Sequence, residues 1–355
     1  MKTMDVRPLG FCVVGCGRAG MVHARNLSAG RIPAARLVAL SDPSPAALAG
    51  VGAELGVPNG FARSQQALAD SEVDALVVAA PSAFHKEIVV AAAQAGKHVF
   101  CEKPMAMDSR ECAAMIAAAE QGGIRLQIGF MRRFADDFKK AKRIADSGRL
   151  GRVVMVKSLT YGPSRPKEWM FDLTKSNGPL AEVNSHDIDT LRWMTGQEIV
   201  EVYAIAGNHR CPEAVAGYPD FYDNVVMTVR FAGGAQGIVC GAQGVGYGYD
   251  ARTEILCQHG IIKVGGVSGL QVFAKDDDRS VRTETPQGAT MPCSWTELFS
   301  DAYQEELCAF VQAVAHGRGP QPGGRDGLEA VRIVDAGNQS IRERRPIAIT
   351  HGEHT

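Results

Sequence analysis

Apolar and polar positions alternate in two different registers along this chain. In the first third, short stretches rich in apolar residues at 11–14, 36–41, 73–80, 97–101 and 125–128 read as buried strands. Between them, a stretch through Ala24 and Leu27 and stretches at 46–55, 65–70, 84–95 and 109–121 repeat their apolar residues every three or four positions, which is the helical period. Strand and helix in strict alternation predict a parallel, doubly wound sheet.

Beyond Gly129 the pattern changes. An amphipathic helix is predicted over 136–146, stopped by Ser147-Gly148-Arg149-Leu150-Gly151. β-branched runs at 152–160, 200–206, 225–231, 235–240 and 253–257 follow, with turn signals at Gly233-Gly234 and His259-Gly260, and they predict a largely antiparallel sheet. Helices at 295–316 and 325–342 close the sequence. The expected organisation is an α/β chain with a doubly wound domain at 1–129 and an α+β domain at 130–355.

The apolar runs deliver chemistry at their carboxyl ends, where open parallel sheets bind ligands. The first run enters FCVVGCGRAG, in which Gly15, Gly17 and Gly20 have the G-x-G-x-x-G spacing. Gly15 suits the tight turn, Gly17 the approach of a pyrophosphate, and Gly20 close packing of helix on strand. The free helix N–H groups at Arg18, Ala19 and Gly20 then face the phosphates. Asp42 ends the next strand at the offset of a ribose-binding acid, and its charge disfavours a 2′-phosphate; NAD is expected over NADP. Asp42 also fits a plain turn before Pro43.

Val99-Phe100-Cys101-Glu102-Lys103-Pro104 presents a carboxylate and an amine on a stiff turn. A partly desolvated lysine there has a lowered pKa and suits proton chemistry, although a lysine ending a strand is also an ordinary surface residue. Ala79-Ala80-Pro81-Ser82 marks another strand end beside the cofactor groove, and His85 fits either a cofactor neighbour or a structural helix-start histidine. Farther on, Glu182 and His186 are four apart and Asp189 follows at three, so one helix would place them on one face for orienting hydroxyls and moving a proton. A capped, solvated helix fits that spacing as well. The spacing also resembles half a metal site, but no further ligands cluster with it, so no metal is expected.

Composition narrows the partners. The chain has 355 residues, a net charge of -1, 45% hydrophobic and 22% charged residues, enough for two cores and without a basic stripe for nucleic acid or a polybasic membrane patch. No apolar run approaches membrane-span length, and residues 1–10 have no signal-peptide apolar region. The nine cysteines include no C-x-x-C pair and read as reduced core residues of a cytoplasmic protein.

With the glycine loop, Glu102-Lys103-Pro104 and the Glu182/His186 segment in this order, the chain resembles the glucose–fructose oxidoreductase / inositol dehydrogenase / rhizopine catabolism (Gfo/Idh/MocA) family. The resemblance spans nearly the whole chain, including Asp301-Ala302-Tyr303-Gln304-Glu305-Glu306-Leu307 and Asp326-Gly327-Leu328-Glu329-Ala330. It implies an NAD(P)-dependent dehydrogenase for a secondary alcohol of a sugar or inositol-like polyol, with an amino-terminal Rossmann sheet and a large open sheet that mediates homodimers or homotetramers. It also implies that Lys103 is essential, that His186 is the acid/base, that Glu102 and His85 lie along the cofactor, and that Arg132 and Tyr249 lie on the substrate side. Trp169, in Arg165-Pro166-Lys167-Glu168-Trp169, fits either a nicotinamide cover or core. One position departs from the pattern: inositol dehydrogenases usually have Asp four before the histidine, where this chain has Glu182, which leaves the substrate open. Two other outcomes share these motifs. One is transient oxidation serving isomerisation or glycoside cleavage, and the other is a dinucleotide sensor without catalysis.

Overall fold

A computed structural model describes residues 7–57, 59–266, 271–274, 281–282 and 292–351, with backbone only at 271–274 and 281–282. The backbone groups into two units, the first holding residues up to Met131 together with Asp301–Leu328, and the second holding Arg132–Ser300 and the residues from Glu329 onward.

The first unit is a parallel sheet of β1 (Leu9–Val14), β2 (Ala35–Ser41), β3 (Asn59–Phe61), β4 (Ala75–Val78), β5 (His98–Cys101) and β6 (Leu126–Ile128). Its order is β3-β2-β1-β4-β5-β6, the doubly wound arrangement whose switch point lies between β1 and β4. β1 and β4 are buried along their length, which explains their unbroken apolar runs. The pattern missed β3, whose Asn59-Gly60-Phe61 sits at the sheet edge and carries too little apolar signal.

A single cut at 129/130 does not describe the packing, because Asp301–Leu328 belongs with the first unit. The helix Ser300–Ala315 puts Leu307, Phe310 and Val311 into one core with Phe11, Val13, Leu27, Val77 and Phe100. Phe310 meets Phe11 and Phe100 edge-on, with centroids 6.1 and 6.0 Å apart. The loop that follows runs beside β6, where Ile128 N–H donates to the Pro322 carbonyl (3.1 Å). The predicted helix at 295–316 is also broken, into Trp295–Leu298 and Ser300–Ala315, because Phe299 leaves helical backbone at φ -115°, ψ 21°.

The second unit is built on β7 (Val153–Gly162), β8 (Ile199–Gly207), β9 (Asn224–Phe231), β10 (Gln236–Gln243), β11 (Asp250–Cys257), β12 (Gly260–Gly265), β13 (Gln271–Ala274), β14 (Val281–Arg282) and β15 (Ile347–Ala348). These form one sheet in the order β14-β13-β12-β11-β7-β10-β9-β8-β15, antiparallel except where β7 lies parallel to β10. Strand β9 shows the two faces: Val225, Met227, Val229 and Phe231 are buried, while Val226, Thr228 and Arg230 are exposed. The buried face is covered in part by the helices Ser185–Thr195, which packs on β7, and Gly324–Glu343, whose Ser340 hydroxyl accepts from Ala204 N–H (3.0 Å). The other face leaves Ile205 and Val226, paired across β8 and β9, 64% and 51% exposed. Among the described residues no helix is long and apolar enough to cross a membrane.

Candidate active site

The glycine loop follows β1, and each glycine meets a different constraint. Gly15 adopts φ +96°, and a Cβ there would lie 2.6 Å from the Ala79 carbonyl oxygen, so the loop can press against the end of β4 only without a side chain. A Cβ on Gly20 would lie 1.8 Å from the Gly15 carbonyl oxygen, which is the close helix-on-strand contact expected. At Gly17 an added Cβ would meet nothing within 4 Å, and Gly17 caps the helix Arg18–Ser28 with no side-chain hydrogen bond. An uncapped helix start facing open space at the switch point fits a dinucleotide pyrophosphate. Gly17 and Arg18 are exposed and Ala19 is half-buried, so this rim is accessible.

Asp42 stands at the end of β2 with its carboxylate fixed. Its Oδ2 accepts from Cys16 N–H (2.8 Å) and its Oδ1 from Ser44 N–H (2.9 Å), which ties the acid to the glycine loop. Each oxygen retains a further lone pair for a ribose hydroxyl. The residues present therefore fit a bound NAD.

Lys103 leaves β5 one residue beyond Glu102 and is half-buried. Its backbone N–H donates to Glu102 Oε2 (3.2 Å). Two neighbours are not placed as the resemblance implied. Glu102 is buried, and its Oε1 lies 2.7 Å from His23 Nε2, so the carboxylate is committed to the interior. His85 is buried as well, with Nδ1 3.0 Å from the Pro104 carbonyl and Nε2 2.7 Å from the Ala80 carbonyl. Burial lowers its pKa, against the raising effect of the carbonyls it contacts. The ring lies between the Ala80 carbonyl beyond β4 and the Pro104 carbonyl of the Lys103-Pro104 turn, contacts that fit the structural alternative for His85. Pro81 is exposed and opens the short 3-10 turn Ser82–Phe84.

In the second unit the single-helix geometry for Glu182 and His186 does not hold. Gly178–Glu182 and Ser185–Thr195 are separate helices joined by a turn at Val183 and Asn184, so the four-residue spacing no longer places the two on one helical face. Asp189 is engaged elsewhere, in a two-bond pair with Arg133 (2.9 and 2.6 Å). His186 is 5% exposed and Glu182 is half-buried. Neither belongs to any cluster of three metal-ligating side chains among the described residues.

Arg132 and Tyr249 are also placed differently from the substrate-side positions that the resemblance implied. Arg132 is 1% exposed, and its guanidinium donates to Asp187 Oδ1 (2.7 Å), Ser158 Oγ (3.3 Å) and Thr160 Oγ1. Asp187 also accepts from Ser158 and Thr160 (both 2.7 Å) and from Asn184 Nδ2 (2.8 Å). Burial opposes the Arg132 charge, but Asp187 and the Tyr249 hydroxyl beside it hold its pKa above the ordinary arginine value. Tyr249 is buried with Arg132 and stands edge-on to Phe299. This is a core network that ties Ser185–Thr195 to β7 and β11. Trp169 is half-buried on the short helix Glu168–Phe171.

Sequence reasoning missed His23, Asp187 and Glu306. Each sits at a buried position of a helix, and for Glu306, between Ala302 and Phe310, the interruption of an apolar stripe was the available signal.

Comparison with known proteins agrees with this arrangement. A family model described as the oxidoreductase family, NAD-binding Rossmann fold, matches residues 9–130, and one described as the GFO/IDH/MocA C-terminal domain matches residues 138–263. Inositol 2-dehydrogenase of Rhizobium meliloti is 32% identical over 96% of this chain and 98% of its own length. Myo-inositol 2-dehydrogenase of Thermotoga maritima is 31% identical over 95% of this chain and 97% of its own. A crystal structure of scyllo-inositol dehydrogenase from Lactobacillus casei with bound NAD(H) and scyllo-inositol superposes with a TM-score of 0.83 at 26% identity, covering 96% of this chain and 99% of that one. The glycine loop, Asp42 and the Glu-Lys-Pro turn stand on one sheet within the matched Rossmann domain, and the chain belongs to the Gfo/Idh/MocA family of NAD-binding oxidoreductases.

Proposed function

We propose that this protein is a dehydrogenase that transfers a hydride from a secondary alcohol of a cyclic polyol of the inositol type, or of a sugar, to NAD. The observation that carries the reading is the half-buried Lys103, held at the carboxyl end of β5 in the same sheet as an open, uncapped glycine loop. Relatives named as inositol dehydrogenases align over nearly the whole length and supply the substrate class. NAD bound at the glycine loop supplies the hydride acceptor.

In this reading the Lys103 ammonium holds negative charge developing on the substrate oxygen, the His186 imidazole takes the hydroxyl proton, and Glu182 accepts from a neighbouring hydroxyl. Oxidation therefore needs neutral His186, and reduction uses the same groups with the proton returned. Gly15, Gly17, Arg18, Ala19 and Gly20 hold the pyrophosphate, Asp42 the adenosine ribose, and Trp169 edges the nicotinamide. The second unit binds the polyol and carries the contact between copies, through the face where Ile205 and Val226 are exposed.

Following NADH absorbance while NAD is offered with a panel of inositols, sugars and sugar acids tests the reading. Turnover on one class, lost in His186→Ala with NAD affinity retained, supports it. Normal turnover by His186→Ala removes the base assignment.

A further inference from the structure

Three titratable side chains lie together in the core of the first unit, next to the turn that carries Lys103. His23 comes from the helix Arg18–Ser28, Glu102 follows β5, and Glu306 comes from the helix Ser300–Ala315; they are 0%, 4% and 0% exposed. One polar atom from each lies within 4.8 Å of the other two. We propose that the three form a proton-holding network in which Glu306 keeps its proton, donates it as a hydrogen bond to the Glu102 carboxylate, and thereby acts as a positioning residue for Lys103. The positioning half of this rests on the role given to Lys103 above.

The geometry leaves few other arrangements. Glu102 Oε1 is taken by His23 Nε2 at 2.7 Å and Oε2 by the Lys103 N–H at 3.2 Å, so the carboxylate is already pulled from two sides. His23 is wedged edge-on between the rings of Phe100 and Tyr303, with centroids 5.0 and 5.5 Å away, and its Nδ1 has no hydrogen-bond partner among the described residues. The ring nitrogen that faces a partner is Nε2, whose proton is directed at Glu102. A Cβ on Gly129 would stand 3.1 to 3.3 Å from the Glu102 carboxylate atoms, so the chain leaving β6 closes the remaining side.

Glu306 is the group left over. Its backbone carbonyl accepts from Gln127 Nε2 (2.9 Å), which fixes the helix there, but among the described residues neither carboxyl oxygen has a hydrogen-bond partner. The titratable groups around it are Glu102 and His23 from the neighbouring elements and Tyr303 one turn earlier on its own helix, with the Lys103 ammonium on the residue after Glu102. Two carboxylates this close and this dry do not both ionise. Burial, reinforced by the Glu102 charge, raises the Glu306 pKa well above its ordinary value, so Glu306 is the one that stays protonated. A protonated carboxyl is a donor, and Glu102 is the carboxylate beside it, with an oxygen within 4.8 Å. Held by three donors, the Glu102 carboxylate fixes the backbone amide from which the lysine side chain departs.

The test uses the whole protein with Glu306→Gln, which keeps a neutral donor, and Glu306→Leu, which does not. An infrared difference spectrum of wild type minus Glu306→Gln at about pH 7 should contain the carbonyl stretch of a protonated carboxylic acid. Its absence overturns the proposal. The amide resonance of Lys103, read by NMR, should stay in place in Glu306→Gln and move in Glu306→Leu; no movement in Glu306→Leu overturns the positioning role. In the NAD-coupled polyol assay Glu306→Leu should lose about tenfold or more in kcat at unchanged NAD affinity, with Glu306→Gln restoring it. Equal kcat in wild type and Glu306→Leu also overturns the positioning role. If Glu306→Leu does not fold, the infrared band and the pH profile of Glu306→Gln still decide. If wild type turns over no polyol, the proposed function fails, while the infrared and NMR results still decide the network.

Discussion

Replacing Arg132 by Met tests whether this arginine is a core residue or a substrate ligand. The change removes a guanidinium that is 1% exposed and donates to Asp187, Ser158 and Thr160, and it leaves Asp187 charged, 0% exposed and short of its only cationic partner among those contacts. Removing one partner of a buried ion pair costs about 3–5 kcal/mol, mostly as the penalty of the charge left behind. Met fills much of the volume between Phe138 and Phe299, whose ring centroids are each 5.9 Å from the guanidinium carbon, so the cavity cost is small by comparison. In a folding unit of roughly 200 residues, each kcal/mol shifts Tm by about 2–4 °C, so Arg132→Met should melt about 6–20 °C below wild type. Adding Asp187→Asn removes the stranded charge and should recover part of the loss. The assay is calorimetry of both variants, with kcat and KM measured well below the melting range. An unchanged Tm together with a raised KM for the polyol would refute the reasoning and return Arg132 to the substrate side.

Gly17→Ala and Gly20→Ala should separate binding from folding: the first adds a methyl to open space and should keep Tm within a few degrees while weakening NAD binding by about tenfold or more, and the second drives a Cβ to 1.8 Å from the Gly15 carbonyl oxygen and should fail to fold. NAD titration by fluorescence and thermal melts read both, and normal NAD affinity in Gly17→Ala would contradict the cradle. For pH, the folded pKa of Glu306 is raised, so between its unfolded and folded values the native state binds more protons than the unfolded state. Its contribution is therefore fully present below the unfolded pKa and declines as pH rises, by up to about 1.4 kcal/mol per pH unit. The Tm advantage of Glu306→Gln over wild type should widen from about pH 5 to about pH 8, and a constant difference would count against a protonated Glu306. Placing a charge on the exposed sheet face with Ile205→Asp should lower the oligomeric state seen by light scattering without lowering the Tm of the monomer much, and an unchanged mass would move the contact elsewhere.

Most of the first unit was legible because strands such as β1 and β4 are buried on both sides and therefore read as apolar runs, and because Gly15 and Gly20 of the loop answer steric constraints that a side chain would violate. The amphipathic helix Asp136–Asp146 was legible to the residue. What failed was anything decided by tertiary packing. Helical spacing joined Glu182 to His186 because the residues between them carry no breaker, yet Asn184 turns inward to reach Asp187 and the Cys240 carbonyl, and the helix is interrupted there. Arg132 was placed on the substrate side by the family resemblance alone, and nothing in its own stretch reveals that Asp187, 55 residues later, pairs with it. Likewise His85 follows a strand end at the expected place for a cofactor contact, but both its nitrogens meet backbone carbonyls that only the folded turn brings near. The residues from Asp301 to Leu328 follow the second sheet in sequence and join the first unit, since their apolar stripe completes the core around Phe11 and Phe100.

The central claim is that a carbon-bound hydrogen of a polyol passes to NAD with Lys103 holding the oxygen. It is tested most directly by supplying an inositol deuterated at its carbinol carbons with NAD and weighing the reduced nucleotide by mass spectrometry. The account predicts one deuterium in NADH for each turnover by wild type, and none from Lys103→Ala that still binds NAD. Deuterium returned to the polyol product with no net NADH would contradict it in favour of transient oxidation, and bound NAD with no transfer to anything would contradict it in favour of a sensor.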